Sequence, residues 1–287
     1  MTNYKTGKWA SRIIASQNED GSWGCFHSQA VSKTNYPMTT EQALRRLHRL
    51  GFTKDDKVIQ SALSYMNDCL AGKKETPDRV EKGVDWEIFT KLMLAAWIRR
   101  FTPGNALANE VANKWRSIAE AAFESGVFSH KVYDKAWRDI LKPKYGRIIS
   151  LDSYYPVLLL SGEVDESIEK AYYDYIFTSE KGFYYGYTGA LTRLPDKFQS
   201  KQASRFLTVI ELLAGHPNEY CKKKLKFIVD WLKENRNADG KWDMGADVRD
   251  GAHFPLSDSW RTPELRETDC TYRIQNLLIA IDVCIKN

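Results

Sequence analysis

The sequence predicts an all-α fold of helix pairs set in two concentric layers, and three observations predict it. A helix, turn and aromatic unit, Gln17 to Gly24 (QNEDGSWG), returns in part as Ala238 to Trp242 (ADGKW) near the other end of the chain, so repetition is the first thing to read. Apolar residues recur at helical spacing between turn signals along nearly the whole length. The helices also alternate in character. An amphipathic, charged helix is followed by a shorter and more apolar one, which places the first kind against solvent and the second inside.

Taken in order, Tyr4 to Ser16 carries Trp9, Ile13 and Ile14 at helical spacing and ends where Asp20 and Gly21 break it. Thr39, Thr40 and Glu41 offer capping chemistry for a helix with Ala43, Leu44, Leu47 and Leu50, closed by Gly51. A second pair runs from Lys54 through Ala71 and then from Val84 to Phe101, the latter apolar nearly all round and so buried on most sides. The third unit has a long amphipathic helix, Ala106 to Glu124, a basic aromatic connector from Ser129 to Arg147, and SLDSYYPVLLLSG from Ser150 to Gly162. The fourth takes Asp165 to Thr178, a turn from Gly182 to Gly189, and Gln202 to Gly215. The fifth takes Tyr220 to Asn235, the second ADGKW turn, a long loop through His253 and Trp260, and a last helix from Thr268 to Ile285. About five helix pairs result. Gly21, Gly126, Gly182 and Gly240 each precede an aromatic by two residues, Trp23, Phe128, Tyr184 and Trp242, so the glycine supplies a left-handed turn and the ring can cover the helix end.

At 287 residues the chain can bury a substantial core as one domain or two, and the repeats favour one, spanning 1–287. The aromatic share of 13% is rich, and those rings need somewhere to pack. A net charge of +5 is spread along the chain, and its densest run, Lys222 to Lys226, falls on a helix face and has no interleaved aromatic platform, so no nucleic-acid partner is expected. No early apolar run resembles a signal peptide and no segment reaches membrane-span length, so the expected location is cytoplasmic, with no integral membrane segment. Cys25, Cys69, Cys221, Cys270 and Cys284 are scattered without CxxC spacing, which favours reduced thiols. With no phosphate, dinucleotide or zinc motif, no cofactor and no metal are expected.

QNEDGSWG resembles the QW motif of squalene and oxidosqualene cyclases, a turn echoed in protein prenyltransferase beta subunits. Asn237 to Gly245 (NADGKWDMG) is a second copy with Arg236 at the position matching Gln17. The resemblance implies an α/α toroid, a closed double ring of helices around a cavity. The catalytic signatures of those families are absent: no DxDD occurs, and Asp269-Cys270 lacks the zinc-ligand spacing of the prenyltransferases. The fold is implied by the likeness and the activity is not.

If the second helices line a centre, their first turns should form a rim. Aligning the terminal glycines Gly51, Gly162 and Gly215 equates Glu41, Asp152 and Arg205, and aligning the leucine runs adds Glu87 and Asp269 or Cys270. Carboxylates at helix N-termini also serve as caps and dipole partners. The functional reading gives Asp152, Glu87 and Asp269 acid/base or nucleophilic roles, since two carboxylates about 5 to 10 Å apart can perform glycoside chemistry. Trp86, Tyr154, Tyr155 and Arg205, with His253, Trp260 and Arg273 from the crowded last unit, are the candidate ligand contacts, because aromatic faces hold an isoprenoid chain or a sugar and stabilise cationic charge. Three readings follow. The first is a small-molecule protein binding an apolar or isoprenoid-like ligand, the second a carbohydrate-active hydrolase or lyase, and the third a non-catalytic scaffold. The first is favoured by a small margin.

Overall fold

The computed structural model describes residues 3–29, 38–250 and 253–283, and these are helical, with isolated bridges but no β-strand among them. They gather into two compact units, Met1–Val111 with Arg249–Trp260, and Ala112–Val248 with Arg261–Asn287.

The first unit holds a 3-10 turn (Tyr4–Thr6), α1 (Lys8–Ala15), α2 (Thr40–Arg49), α3 (Lys57–Leu70) and α4 (Trp86–Phe101). Helix α1 packs on α2, and α3 on α4. Helix α2 starts at a reciprocal capping box: Gln42 N donates to Thr39 Oγ1 over 3.3 Å, and Thr39 N donates to Gln42 Oε1 over 3.0 Å. In α4, every residue from Leu92 to Arg99 is buried, while α1 buries Ala10 and Ile13 and turns its charges outward. The contrast is the one expected between a first and a second helix, but the expectation of shorter, more apolar second helices fails elsewhere: α2 carries three arginines and is ten residues long against eight in α1, and α4 is sixteen residues long against fourteen in α3.

The segment 249–260 also belongs to this unit. Arg46 donates to the Pro255 carbonyl, the Trp9 indole N–H to Ser257 O at 2.9 Å, and Lys8 N to Asp258 Oδ1 at 2.7 Å. This part of the long loop is thus pinned to the first helix pair.

The boundary between the units falls within α5 (Ala106–Phe123). Beyond it come α6 (His130–Leu141), α7 (Tyr154–Leu159), α8 (Glu166–Thr178), α9 (Lys201–Ala214), α10 (Glu219–Leu225), α11 (Ile228–Glu234), a 3-10 turn (Ala246–Val248) and α12 (Pro263–Ala280). Helix α9 is the hub, touching α7, α10 and α12. All six residues of α7 are buried.

Three expectations need correction here. The connector from Ser129 to Arg147 contains a regular helix, α6, capped by the Ser129 hydroxyl; Tyr133 and Trp137, four apart, supply its buried side amid an otherwise polar sequence. The first helix of the fifth unit is two short helices, α10 and α11, broken at Lys226 and Phe227. The last helix starts at Pro263 rather than Thr268, because proline is pre-organised for the first helical turn. It ends at Ala280, with Ile281 as C-cap, short of the expected Ile285; Cys284 and Ile285 themselves lie outside the described residues.

The two indole turns repeat each other bond for bond, each within its own unit. Trp23 Nε1 donates to Ile13 O at 2.8 Å, and Trp242 Nε1 to Leu232 O at 2.6 Å, so each ring satisfies a last-turn carbonyl of the helix before it. Trp23 N donates to Thr40 Oγ1 at 2.9 Å and Trp242 N to Thr271 Oγ1 at 3.0 Å, which ties each turn to the following second helix. Gln17 Nε2 and Arg236 Nε both donate to the turn glycine's carbonyl, Gly21 O and Gly240 O, at 2.9 Å. Arg236 therefore performs the task of Gln17 at the matching place. Gly126 and Gly182 are left-handed as predicted, but their aromatics differ: Phe128 is half-buried and Tyr184 is exposed. Each indole covers a helix end and Phe128 packs on Phe123, the last residue of α5, at 5.3 Å, whereas the Tyr184 phenol is open to solvent.

Candidate functional site

The ten residues singled out from the sequence fall on both units. Trp86, Glu87, His253 and Trp260 lie in the first, and Asp152, Tyr154, Tyr155, Arg205, Asp269 and Arg273 in the second. Glu87 is exposed on the first turn of α4 and paired to Lys91 at 2.7 Å, an ordinary surface pair one turn apart. Trp86 packs a half-buried ring against Phe89, with centroids 5.7 Å apart. His253 is buried, its ring nitrogen 2.7 Å from Asp250 Oδ2, while Trp260 packs on Phe254 at 4.9 Å. Burial alone would raise the Asp250 carboxyl; the His253 ring and the backbone N–H groups of His253 and Phe254 outweigh it and hold the group well below the usual range. These contacts fold the 249–260 segment.

In the second unit, Arg205 sits five residues past the α9 N-cap Ser200 and is exposed. Asp269 is fully buried on α12. Arg273 is buried in a closed network: it donates to Glu211 Oε1 at 2.7 Å and Oε2 at 3.1 Å, to Ser204 Oγ at 2.8 Å, to Ser204 O at 3.0 Å and to Thr208 Oγ1 at 3.1 Å. A guanidinium so engaged joins α12 to α9. Glu41 is similarly enclosed in the first unit, accepting from Ser28 N at 2.8 Å, Arg45 at 2.9 Å and the Trp97 indole at 3.2 Å. Its burial raises the carboxyl, but Arg45, His27 and Ser28 together leave it lower than an ordinary glutamate.

Asp152 stays half-buried beside the buried Tyr154 and Tyr155, on a segment held from several sides. It lies immediately before the α7 N-cap Ser153. Three tyrosines anchor the segment that carries it. Tyr133 of α6 donates to Ile149 O, Tyr172 of α8 donates to Leu151 O at 2.9 Å, and Tyr175 OH lies 3.4 Å from the Ser150 hydroxyl, which itself donates to Asp152. Burial pushes the Tyr175 phenol up to about 12, with the Asp152 charge adding to it against the Ser150 hydrogen bond. Tyr175 is thus a neutral hydroxyl at physiological pH. Its ring stacks on Phe128 at 4.1 Å.

The turn 182–189 closes the group from the other side. Ser153 and Tyr184 form a parallel bridge, and Tyr154 N donates to Tyr184 O at 3.1 Å, which sets the turn's backbone beside Asp152. The Tyr184 ring is 48% exposed and lies under the Arg147 guanidinium, 4.8 Å from its centroid, while Arg147 also donates to the Tyr184 hydroxyl. Tyr185 takes φ +64°, a conformation unfavourable for a bulky residue, and its ring meets Tyr184 at 4.1 Å and Tyr155 at 5.8 Å. Tyr154 and Tyr155 themselves are buried, set edge to face at 5.4 Å, and support the patch from below.

Sequence reasoning missed Ser150, Tyr175, Arg147, Tyr184 and Tyr185. The signal was present in the tyrosine run of FYYGY after Gly182 and in the basic aromatic connector, but nothing in the spacing says that these two stretches meet. Among the described residues no group of three or more His, Cys, Asp or Glu side chains is placed to hold a metal, and no helix is long and apolar enough to cross a membrane. Set against protein families, curated proteins and solved structures, the chain matches none of them.

Proposed function

We propose that the second unit binds a carbohydrate on the patch formed by Tyr184, Arg147 and Asp152. The observation that carries this reading is a half-exposed phenol ring with a guanidinium over it, on a turn whose backbone pairs with the residues following a half-buried carboxylate. A sugar presents an apolar C–H face and a rim of hydroxyls. The ring would take the face, Asp152 and Ser150 would accept and donate hydrogen bonds at the rim, and Arg147 would add donors in a fixed fork. Burial of Tyr154 and Tyr155 and the three tyrosine anchors hold these groups in one geometry before the ligand arrives.

The test is binding of the full chain to a panel of soluble polysaccharides by affinity electrophoresis, backed by calorimetry. Tyr184→Ala should weaken binding at least about tenfold, a reasonable loss for one aromatic platform. Asp152→Asn should do the same with the melting temperature little changed. Retention of full affinity by both variants would remove the patch from consideration. A reducing-end assay on bound polysaccharide, with Asp152→Asn as control, separates binding from hydrolysis or cleavage.

The architecture we propose is the α/α toroid that the QW-like turns imply. Its support is that second helices touch within each unit: α2 and α4 through Glu41 and Trp97, α7 and α9 by packing, and α9 and α12 through Glu211 and Arg273. The duplicated indole turns also support a second functional reading, an apolar or isoprenoid-like ligand, as the likeness to terpenoid cyclases implies. Farnesol or squalene titrated against tryptophan fluorescence tests it. Saturable quenching that Tyr184→Ala leaves untouched would favour that reading over the first.

A further inference from the structure

The polypeptide from His130 to Arg147 carries six Lys and Arg against two Asp, most of the formal excess of a chain whose net charge is +5. Its placement is ordered. Lys131, Lys135, Arg138 and Lys142 follow one another at intervals of four, three and four residues along α6 and its C-cap, and all four are exposed. At 100° per residue the three on α6 itself lie within about 60° of one another, on the side opposite Tyr133 and Trp137, and extend about 10 Å along the helix, with the left-handed C-cap Lys142 just beyond its end. Lys144 and Arg147 continue the exposed cations from the end of α6 to the Tyr184 ring. The inner face of the same helix is fixed to the proposed site, since Tyr133 donates to Ile149 O and its ring packs on Phe128 at 5.5 Å. Exposed Tyr145 lies between the last two cations in sequence, and Val127 and Val132 are exposed near the start of α6.

A dipole role explains only part of this stripe. Cations near a helix C-terminus are favourable, which accounts for Arg138 and Lys142, but Lys131 lies in the first turn of α6, where positive charge is unfavourable, and Lys135 in the middle, where the dipole gives no preference. Asp134 and Asp139 lie three or four residues from these cations and flank the stripe; the pair between Arg138 and Asp134, at 3.0 Å, is exposed and weak. Charge of one sign kept at one cation per helical turn, on a helix whose other face builds the site, points to a linear polyanion.

We infer that the ligand of this site is an acidic polysaccharide, one with a carboxylate or sulfate on its repeating sugar, that lies along α6 and ends with a sugar on Tyr184. This inference rests on the carbohydrate reading above and narrows it. Nucleic acid fits less well, because Asp152 and Ser150 form a rim for hydroxyls, of which an acidic sugar carries several beside each anionic group and a nucleotide within a strand at most one. An anionic membrane fits less well because the exposed side chains around the stripe are tyrosine and valine, without the broad apolar face that interfacial helices bury.

The experiment uses the whole chain against polygalacturonate and heparin as acidic probes, amylose and xylan as neutral ones, a single-stranded oligonucleotide, and phosphatidylglycerol vesicles. The triple variant Lys131→Glu/Lys135→Glu/Lys142→Glu is compared with the parent, and circular dichroism and melting temperature confirm its fold. We expect an acidic polysaccharide to bind, its affinity to fall about tenfold or more between about 50 and 300 mM salt, and the triple variant to lose at least about tenfold while Tyr184→Ala also weakens it. Binding of neutral polysaccharides with equal or greater affinity, unaffected by the triple variant, would overturn the inference and leave the carbohydrate reading standing. No binding to any polysaccharide would remove that reading as well. Oligonucleotide or vesicle binding that outcompetes the acidic polysaccharide and is lost in the triple variant would assign the stripe to another polyanion and overturn the inference. Should the triple variant fail to fold, single Lys131→Ala and Lys135→Ala substitutions, each expected to reduce affinity and its salt dependence, decide the same question.

Discussion

At Gly21 and Gly240 two matching residues of a repeat meet different neighbours, and the difference is measurable. Gly21 has φ +92°, and a Cβ there would lie 2.2 Å from Ser61 O and 2.6 Å from Ser61 C, backbone atoms of α3 that cannot move without moving the helix. Gly240 has φ +76°, and its Cβ would meet the tip of Arg236, 2.7 Å from Nη2. A guanidinium tip can swing aside; a helix backbone in a packed core cannot. Gly240→Ala therefore carries mainly the left-handed penalty, about 1 to 2 kcal/mol, together with whatever Arg236 loses in moving. Gly21→Ala adds a clash with fixed atoms and should cost at least about 3 kcal/mol. Urea midpoints of the two variants check this; equal losses would mean that the turn of the first unit is not held against α3 as described. The single-residue view also shows why the motif survives its own variation, since Arg236 replaces Gln17 without losing the bond to the glycine carbonyl.

Helices α9 and α12 meet through the buried Arg273 and Glu211 pair, which has side-chain exposures of 2% and 15%. Removing one partner leaves the other charged and enclosed, so Arg273→Met should destabilise by about 3 to 5 kcal/mol. Adding Glu211→Leu should recover much of that loss, because a buried pair replaced as a whole by apolar groups is often close to neutral. A double-mutant cycle on thermal or urea unfolding measures the coupling, and additive losses would show that the pair does not act as a unit. At this scale the sequence was most legible where structure is local. Most of the helix spans, the left-handed turn glycines, and the contrast between α1 and α4 follow from periodicity and turn chemistry, whereas α6 and the break between α10 and α11 did not. The polar rim was not legible, and the reason is length. Matching second helices at their terminal glycines assumes equal helices, whereas α2 has ten residues, α7 six and α9 fourteen. Counted from the N-caps Thr39, Asp85, Ser153 and Ser200, Glu41 and Glu87 are equivalent, but Asp152 precedes its cap and Arg205 lies beyond the first turn. Burial then separates even the equivalent pair, with Glu41 enclosed and Glu87 in solvent.

The stability of the whole chain as a function of pH depends on where its carboxylates ended up. Asp243 is held low first by its hydrogen bonds from Arg266, at 2.6 Å to each oxygen, and by Gly245 N, against a smaller opposing effect of burial. Asp56, beside Lys5, and Asp174, beside Lys224 and Tyr220, are also low, although burial alone would raise both. Asp250 shares the direction through His253. For each, the folded state binds a proton less readily than the unfolded chain. The stabilisation is therefore complete above the unfolded aspartate value, about 3.9, and is lost as pH falls through the lower folded values. Glu169 runs the other way: burial raises it despite hydrogen bonds from Tyr173 and Asn218, so protonating it relieves a penalty as pH falls through its raised folded value. Glu41, Asp165 and Glu264 are held low as well, so that among the described residues seven depressed carboxylates against one raised give a net loss on acidification. Melting temperature should hold steady through neutral pH and decline with its onset near pH 4, and in Asp243→Asn, which removes one of the titrating groups at the price of a weaker Arg266 bond, the neutral plateau should be lower and the acid decline shallower. A parallel downward shift of the whole curve, with the slope unchanged, would mean that the Asp243–Arg266 pair does not carry its share of the acid sensitivity.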